Sequence, residues 1–144
     1  VLFRSTYAGE MQTGIINLWG KGDFTNPTTA IPLYVNGSTM ISMPDNSVWL
    51  VKLRLIVGQV GSLIDASVSG EYNLHIAQSG GTISLKNVTT IDETPIDITG
   101  RFEIDLAISG STFCPLINLA DGASYPYRSI NISAQLSYTQ YHYE

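Results

Sequence analysis

Two carboxylates, Glu103 and Asp105, share one face of a predicted strand, and two more adjoin at Asp92-Glu93. A carboxylate pair is what glycoside hydrolysis requires, one group as acid and the other as base or nucleophile. Residues i and i+2 on a strand stand about 6.6–7 Å apart along it, which overlaps the roughly 6.5–9.5 Å separation of inverting enzymes. Any Glu-x-Asp strand has that spacing. The plainer reading is therefore a solvated face, paired across strands with Lys52, Arg54 or Arg101, and Asp92-Glu93 is read as part of a loop, Thr89–Thr94. A triad or metal site would have to use His75 or His142, the only histidines. His75 falls on the polar face of its strand and His142 in the closing Tyr141-His142-Tyr143-Glu144, so both are read as solvent-facing. Cys114 stands between Phe113 and Pro115, a setting for a buried, inert thiol rather than a nucleophile. A single cysteine excludes an internal disulfide and a Cys-rich zinc site. The nucleophile-elbow, P-loop, zinc-protease and dinucleotide motifs are missing. The expectation is a chain that is not an enzyme, with no catalytic residues, no metal site and no cofactor.

Aromatic residues offer binding chemistry instead. Tyr125-Pro126-Tyr127 lies in a predicted loop, and rings at loop tips stack on sugars while their hydroxyls hydrogen-bond. Pro126 stiffens that loop and lowers the ordering cost of binding. Tyr125 and Tyr127 are thus the candidate ligand-binding residues; the plainer alternative is that they plug a sandwich end or a subunit interface. Trp49 reads as core, and Trp19, before Gly20, as core or rim.

Strands must position these groups, because period two runs through most of the chain. In Val48–Gly58 one face carries Trp49, Val51, Leu53, Leu55 and Val57, and the other mixes Val48, Leu50, Lys52, Arg54 and Ile56. Gly70–Ala77, Arg101–Ser109 and Ser129–Gln140 alternate apolar and polar residues in the same way. Ile15–Trp19, Ile31–Val35, Met40–Met43 and Ile83–Val88 read as further strands, with Ile96 and Ile98 on a short edge strand beside Pro95. Asn36-Gly37 and Ser79-Gly80-Gly81 mark hairpins, because these residues tolerate positive φ. Pro44-Asp45-Asn46-Ser47 marks a turn. No segment reads as a good helix; a turn or two is expected near Pro115–Ala120. Short strands separated by turn signals predict an all-β, antiparallel sandwich, jelly-roll-like. Val48, Leu50 and Ile56 leave the Trp49 strand partly apolar on its second face, which calls for cover from a second layer or a neighbour.

Length and charge narrow the partners. The 144 residues suit one domain: residues 11–144 as a single sandwich, after residues 1–10 as an arm or a fragment or cloning scar. Charged residues are only 13% and the net charge is −5, which leaves no basic footprint for nucleic acid or anionic membranes. No apolar run approaches the ~20 residues of a membrane span.

The order of motifs resembles the distal or C-terminal β-sandwich domains of tailed-phage tail-fibre and appendage proteins. The likeness rests on Gly22-Asp23-Phe24-Thr25-Asn26-Pro27-Thr28, then Ile31-Pro32-Leu33-Tyr34-Val35-Asn36-Gly37. It continues through Met43-Pro44-Asp45-Asn46-Ser47-Val48-Trp49, Ser69-Gly70-Glu71-Tyr72 and Leu106-Ala107-Ile108-Ser109-Gly110. It spans roughly Gly22 to Gln140. Such domains often carry Arg-Trp at the start of the last strand, whereas Arg128 here is followed by Ser129-Ile130. The resemblance implies a non-enzymatic virion part, a homotrimer, that helps attach a phage to a bacterial surface glycan or protein receptor outside the cell. The alternative is a carbohydrate-binding module of a secreted bacterial protein.

Overall fold

The computed structural model describes residues 11–23, 30–59, 68–94, 102–119 and 130–143. Ten strands run in the order β1 (Met11–Gly22), β2 (Ile31–Pro32), β3 (Tyr34–Val35), β4 (Ile41–Ser42), β5 (Ser47–Gln59), β6 (Val68–Ser79), β7 (Thr82–Thr94), β8 (Phe102–Ser109), β9 (Thr112–Leu119) and β10 (Ile130–His142). All pairings are antiparallel. One sheet has the order β3-β1-β10-β5-β6-β7. In the other, β9 is flanked along its length by β8 on one edge and by β2 and β4 in succession on the other. The fold is all-β, a two-layer antiparallel sandwich with no closed barrel.

The alternation in the sequence sets the layers. Trp49, Val51, Leu53, Leu55 and Val57 of β5 are buried, as are Tyr72, Leu74 and Ile76 of β6 and Ile130, Ile132, Leu136 and Tyr138 of β10. They face Phe102, Ile104, Leu106, Phe113 and Ile117 of the second sheet in a single core. At its centre Trp49 stacks on Tyr138, ring centroids 3.9 Å apart and planes within 6°. Its edge meets Phe113 across the layer at 6.0 Å and 76°. Tyr138 lies against Gly14, where a Cβ would run into the ring. The Trp49 indole N–H donates to Gln140 Oε1 at 2.9 Å.

Four expectations need correction. Pro115–Leu119 belongs to β9 rather than to a helical turn. Pro115 O accepts from Leu33 N at 2.9 Å, on the edge where β2 and β4 meet β9. In an antiparallel strand the N–H points the same way as the carbonyl, so the proline's missing donor falls beside the break between β2 and β4 and not against β8. The predicted Ile31–Val35 strand divides at Leu33: Ile31–Pro32 joins β9 and Tyr34–Val35 joins β1. The Asn36-Gly37 turn forms, with φ of 54° and 75°, but closes only a Val35–Thr39 bridge before β4 goes to β9. Thr89–Thr94 is strand, not loop, because β7 continues to Thr94 alongside β6. The Ile96–Ile98 segment lies outside the described residues.

The two ends of the sandwich differ. At one end β6 turns into β7 through Gly80-Gly81, and β8 into β9 through Gly110-Ser111. The Pro44–Ser47 turn sits there too, held by Ser47 Oγ donating to Pro44 O at 2.6 Å. Met43 N donates to Ser111 O within the second sheet, Tyr143 bonds Asn46 and Gln78 on the large one, and Gln78 Nε2 donates to Met43 O across the two. Met11 and Tyr141 are paired at the same end. At the other end lie Gly22, Ile31, Gln59, Val68, Thr94, Phe102, Leu119 and Ile130, the strand ends nearest to positions 24–29, 60–67, 95–101 and 120–129.

Candidate functional surfaces

Register in the large sheet sets what stands on its outer face. One row across the strands reads Asn17, Gln135, Arg54, Glu71, Asp92; the next reads Trp19, Ser133, Ile56, Ser69. Between them is a groove of about 460 Å³ lined by Arg54, Ile56, Ser69, Glu71, Asp92 and Gln135, among others. Glu71 pairs with Lys52 at 3.3 Å and Arg54 at 3.8 Å. Both basic side chains are about half exposed or more, so the pairs orient side chains more than they stabilise the fold. Lys52 and Arg54 thus meet Glu71 and not Glu103 or Asp105, the partners expected from the sequence.

The Glu71–Asp92 neighbourhood is hidden in the sequence. Counting back from Gly80-Gly81 in plain register sets Glu71 opposite Thr90. Two register shifts, between His75 and Ile76 and between Glu71 and Tyr72, bring Asp92 opposite instead. Bulges of this kind depend on tertiary packing, and no turn residue announces them.

The second member of the Asp92-Glu93 pair points to the other face. Glu93 Oε2 accepts from the Tyr72 hydroxyl and from Phe102 N, both at 2.9 Å. It fastens the end of β7 to the start of β8, a structural task. Burial, the hydrogen bond and the negative charge of Glu93 together raise the Tyr72 phenol well above its ordinary pKa. Tyr72 also covers Gly70, where an added Cβ would lie 2.6 Å from its hydroxyl oxygen.

Glu103 and Asp105 are exposed on β8, as the sequence indicates. Asp105 Oδ1 accepts from Leu106 N at 2.8 Å. His75 is exposed on β6 and His142 is half-buried at the end of β10. Cys114 is buried, and burial pushes its thiol up, with a partial offset from the Leu33 backbone. Trp49 is core and Trp19 is rim, 43% exposed, lying over Gly37 with Lys21 Nζ 5.7 Å from its ring centroid. Tyr125 and Tyr127 lie outside the described residues, in the segment between Leu119 and Ile130. Residues 1–10 also lie outside them. Among the described residues no group of three or more His, Cys, Asp or Glu side chains is arranged to hold a metal ion.

No protein-family model matches the chain, and no curated protein matches it. Among solved structures it is similar to the tailspike protein of Acinetobacter baumannii phage AM24, with a TM-score of 0.43 and 8% identity over 90% of this chain. It is also similar to tailspike protein gp49 of Acinetobacter baumannii bacteriophage Fri1, a capsular polysaccharide depolymerase, with a TM-score of 0.38 and 10% identity over 88% of this chain. The chain spans 26% of the first protein's length and 17% of the second's.

Proposed function

We propose that this chain is a non-enzymatic adhesion domain of a phage tail fibre or appendage, displayed on the virion and contacting a bacterial surface glycan or protein. It acts as a homotrimer, without nucleic acid and without membrane insertion. The observation that carries this reading is the asymmetry of the two ends. Met11 and His142, where β1 begins and β10 finishes, share the end closed by tight turns. The described residues that flank positions 24–29, 60–67, 95–101 and 120–129 lie at the opposite end, about 40 Å away for strands of 12–13 residues. A domain carried from its strand termini therefore points its longer connections outward, and connecting segments on a rigid scaffold are where contact residues concentrate. The tyrosines of Tyr125-Pro126-Tyr127 are the contact residues in this reading. Three copies on one axis raise attachment strength by about 10²–10⁴ when all engage together.

Binding of the labelled protein to a panel of bacterial cells tests this. The Tyr125→Ala, Tyr127→Ala double variant should lose at least tenfold in cell binding at an unchanged denaturation midpoint. Undiminished binding would refute the loop assignment. Incubation with capsular polysaccharides should release no reducing ends; release abolished by Glu103→Gln or Asp105→Asn would refute the non-enzymatic reading.

A further inference from the structure

Eight large hydrophobic side chains are exposed among the described residues, and six of them stand on one face of one sheet. Register assigns Met11, Ile15 and Trp19 of β1, Tyr141 of β10, and Leu50 and Ile56 of β5 to the outer face of the large sheet. They are 43–61% exposed. Between them stand mostly short neutral groups: Thr13, Asn17, Ser133, Ser137, Thr139, Asn73 and Thr89. Charge on this face is of both signs, with Lys52 and Arg54 beside Glu71, Asp92 across from it, and Lys21 over the Trp19 ring at one end.

We infer that this outer face is the surface through which copies of the chain meet. The inference rests on the assembly proposed above and assigns its location. From β1 to β7 the face is about 20 Å wide, at 4.7–4.9 Å per strand gap, and about 40 Å long. That is about 800 Å², the share one partner contributes to a standard stable interface. Its charges are of mixed sign, so no large field of one sign opposes the approach of a second copy. Its exposed aliphatic and aromatic groups flank a central cluster of Lys52, Arg54 and Glu71 whose charges already pair within the chain, so apolar contact between copies falls on either side of that cluster.

The sheet edges support the same assignment. Natural edges carry charges, bulges or proline against unwanted pairing. The β7 edge has two bulges together with Lys86, Asp92 and Glu93. On the β1 side, Met11–Asn17 pairs only with β10 among the described residues and holds no charge, proline or bulge. The protection is missing where the apolar face reaches its border.

Equilibrium sedimentation of the whole chain over a concentration series tests this with three variants. Leu50→Lys and Ile56→Lys introduce charge at exposed sites of the face. Ile108→Lys does so at a site 46% exposed on the second sheet. The expected result is an oligomer for the unmodified protein and for Ile108→Lys, and at least a tenfold weaker association for Leu50→Lys and Ile56→Lys, all with native circular dichroism. A Leu50→Lys, Ile56→Lys double variant that associates like the unmodified protein would overturn the face while leaving the assembly standing. An unmodified protein that stays monomeric at every concentration would overturn both.

Discussion

Replacing Trp49 by alanine should remove the centre of the core. The side chain has no exposed surface, is sandwiched by Tyr138 and Phe113, and gives its indole proton to Gln140. Truncating a buried Trp to Ala costs about 3–5 kcal/mol including the cavity left behind. Each aromatic pair is worth about 0.5–1.5 kcal/mol beyond burial, which sets the expectation at the upper end, about 5 kcal/mol. Domains have about 5–15 kcal/mol in all, so the variant should lie near the limit of folding. With a urea slope of about 2 kcal/mol/M, the midpoint should fall by about 2.5 M in a titration followed by far-UV circular dichroism. Trp49→Phe separates ring from proton. It keeps an aromatic ring between Tyr138 and Phe113 but leaves Gln140 Oε1 without its donor, at about 1–3 kcal/mol. A Trp49→Ala midpoint within about 0.5 M of the unmodified protein would refute the assignment of this face to the core. Equal losses for Ala and Phe would show that the hydrogen bond, and not the ring, holds the centre.

Other outcomes follow from particular contacts. Tyr72→Phe removes a hydrogen bond to a carboxylate and should cost about 1.5–3 kcal/mol in the same titration; no loss would mean that Glu93 is held by Phe102 N alone. Tyr72 and Cys114 both have raised pKa values in the folded chain, so the unfolded chain sheds its protons first as pH rises. Stability should therefore be intact below the ordinary thiol and phenol ranges and decline above them, and Cys114→Ala should flatten the early part of that decline in pH-dependent melts. Gly37→Ala meets both a φ of 75° and the Trp19 ring, and should shift Trp19 fluorescence as well as lower the melting temperature; an unchanged spectrum would argue against that packing. Cys114 should resist alkylation in the native protein and react on unfolding.

The core is legible wherever one strand face is wholly apolar. Val48–Gly58 and Ser129–Gln140 identify their buried residues directly, because a one-residue slip would turn every side chain to the wrong face. Thr112–Leu119 has the same alternation at Phe113, Pro115 and Ile117, yet from Pro115 on it reads as a helical turn, since proline is ordinarily excluded from paired strands. Only the gap between β2 and β4 makes room for it. The outer-face groove is less legible. Arg54 and Glu71 are each visible as outward residues, but their meeting with Asp92 depends on two bulges that no local motif encodes. The exposed apolar residues of β1 are obscured for another reason. Met11 stands ahead of the Ile15–Trp19 stretch that reads as strand, and adjoining apolar Ile15 and Ile16 do not tell which faces outward; it is Ile15, in register with Ser137.

The pairing of Met11 with Tyr141 has a mechanical consequence. Force applied between the start of β1 and the end of β10 would load their ladder at its first rung. Hydrogen bonds perpendicular to antiparallel strands would then break in succession, as a zipper opens, at low force. Force applied between Met11 and the opposite end of the sandwich runs along β1 instead. Separation would then require the twelve paired residues from Met11 to Gly22 to slide past β10 together. A domain built this way yields easily when pulled apart at Met11 and His142 and resists when held at Met11 and loaded at the far end.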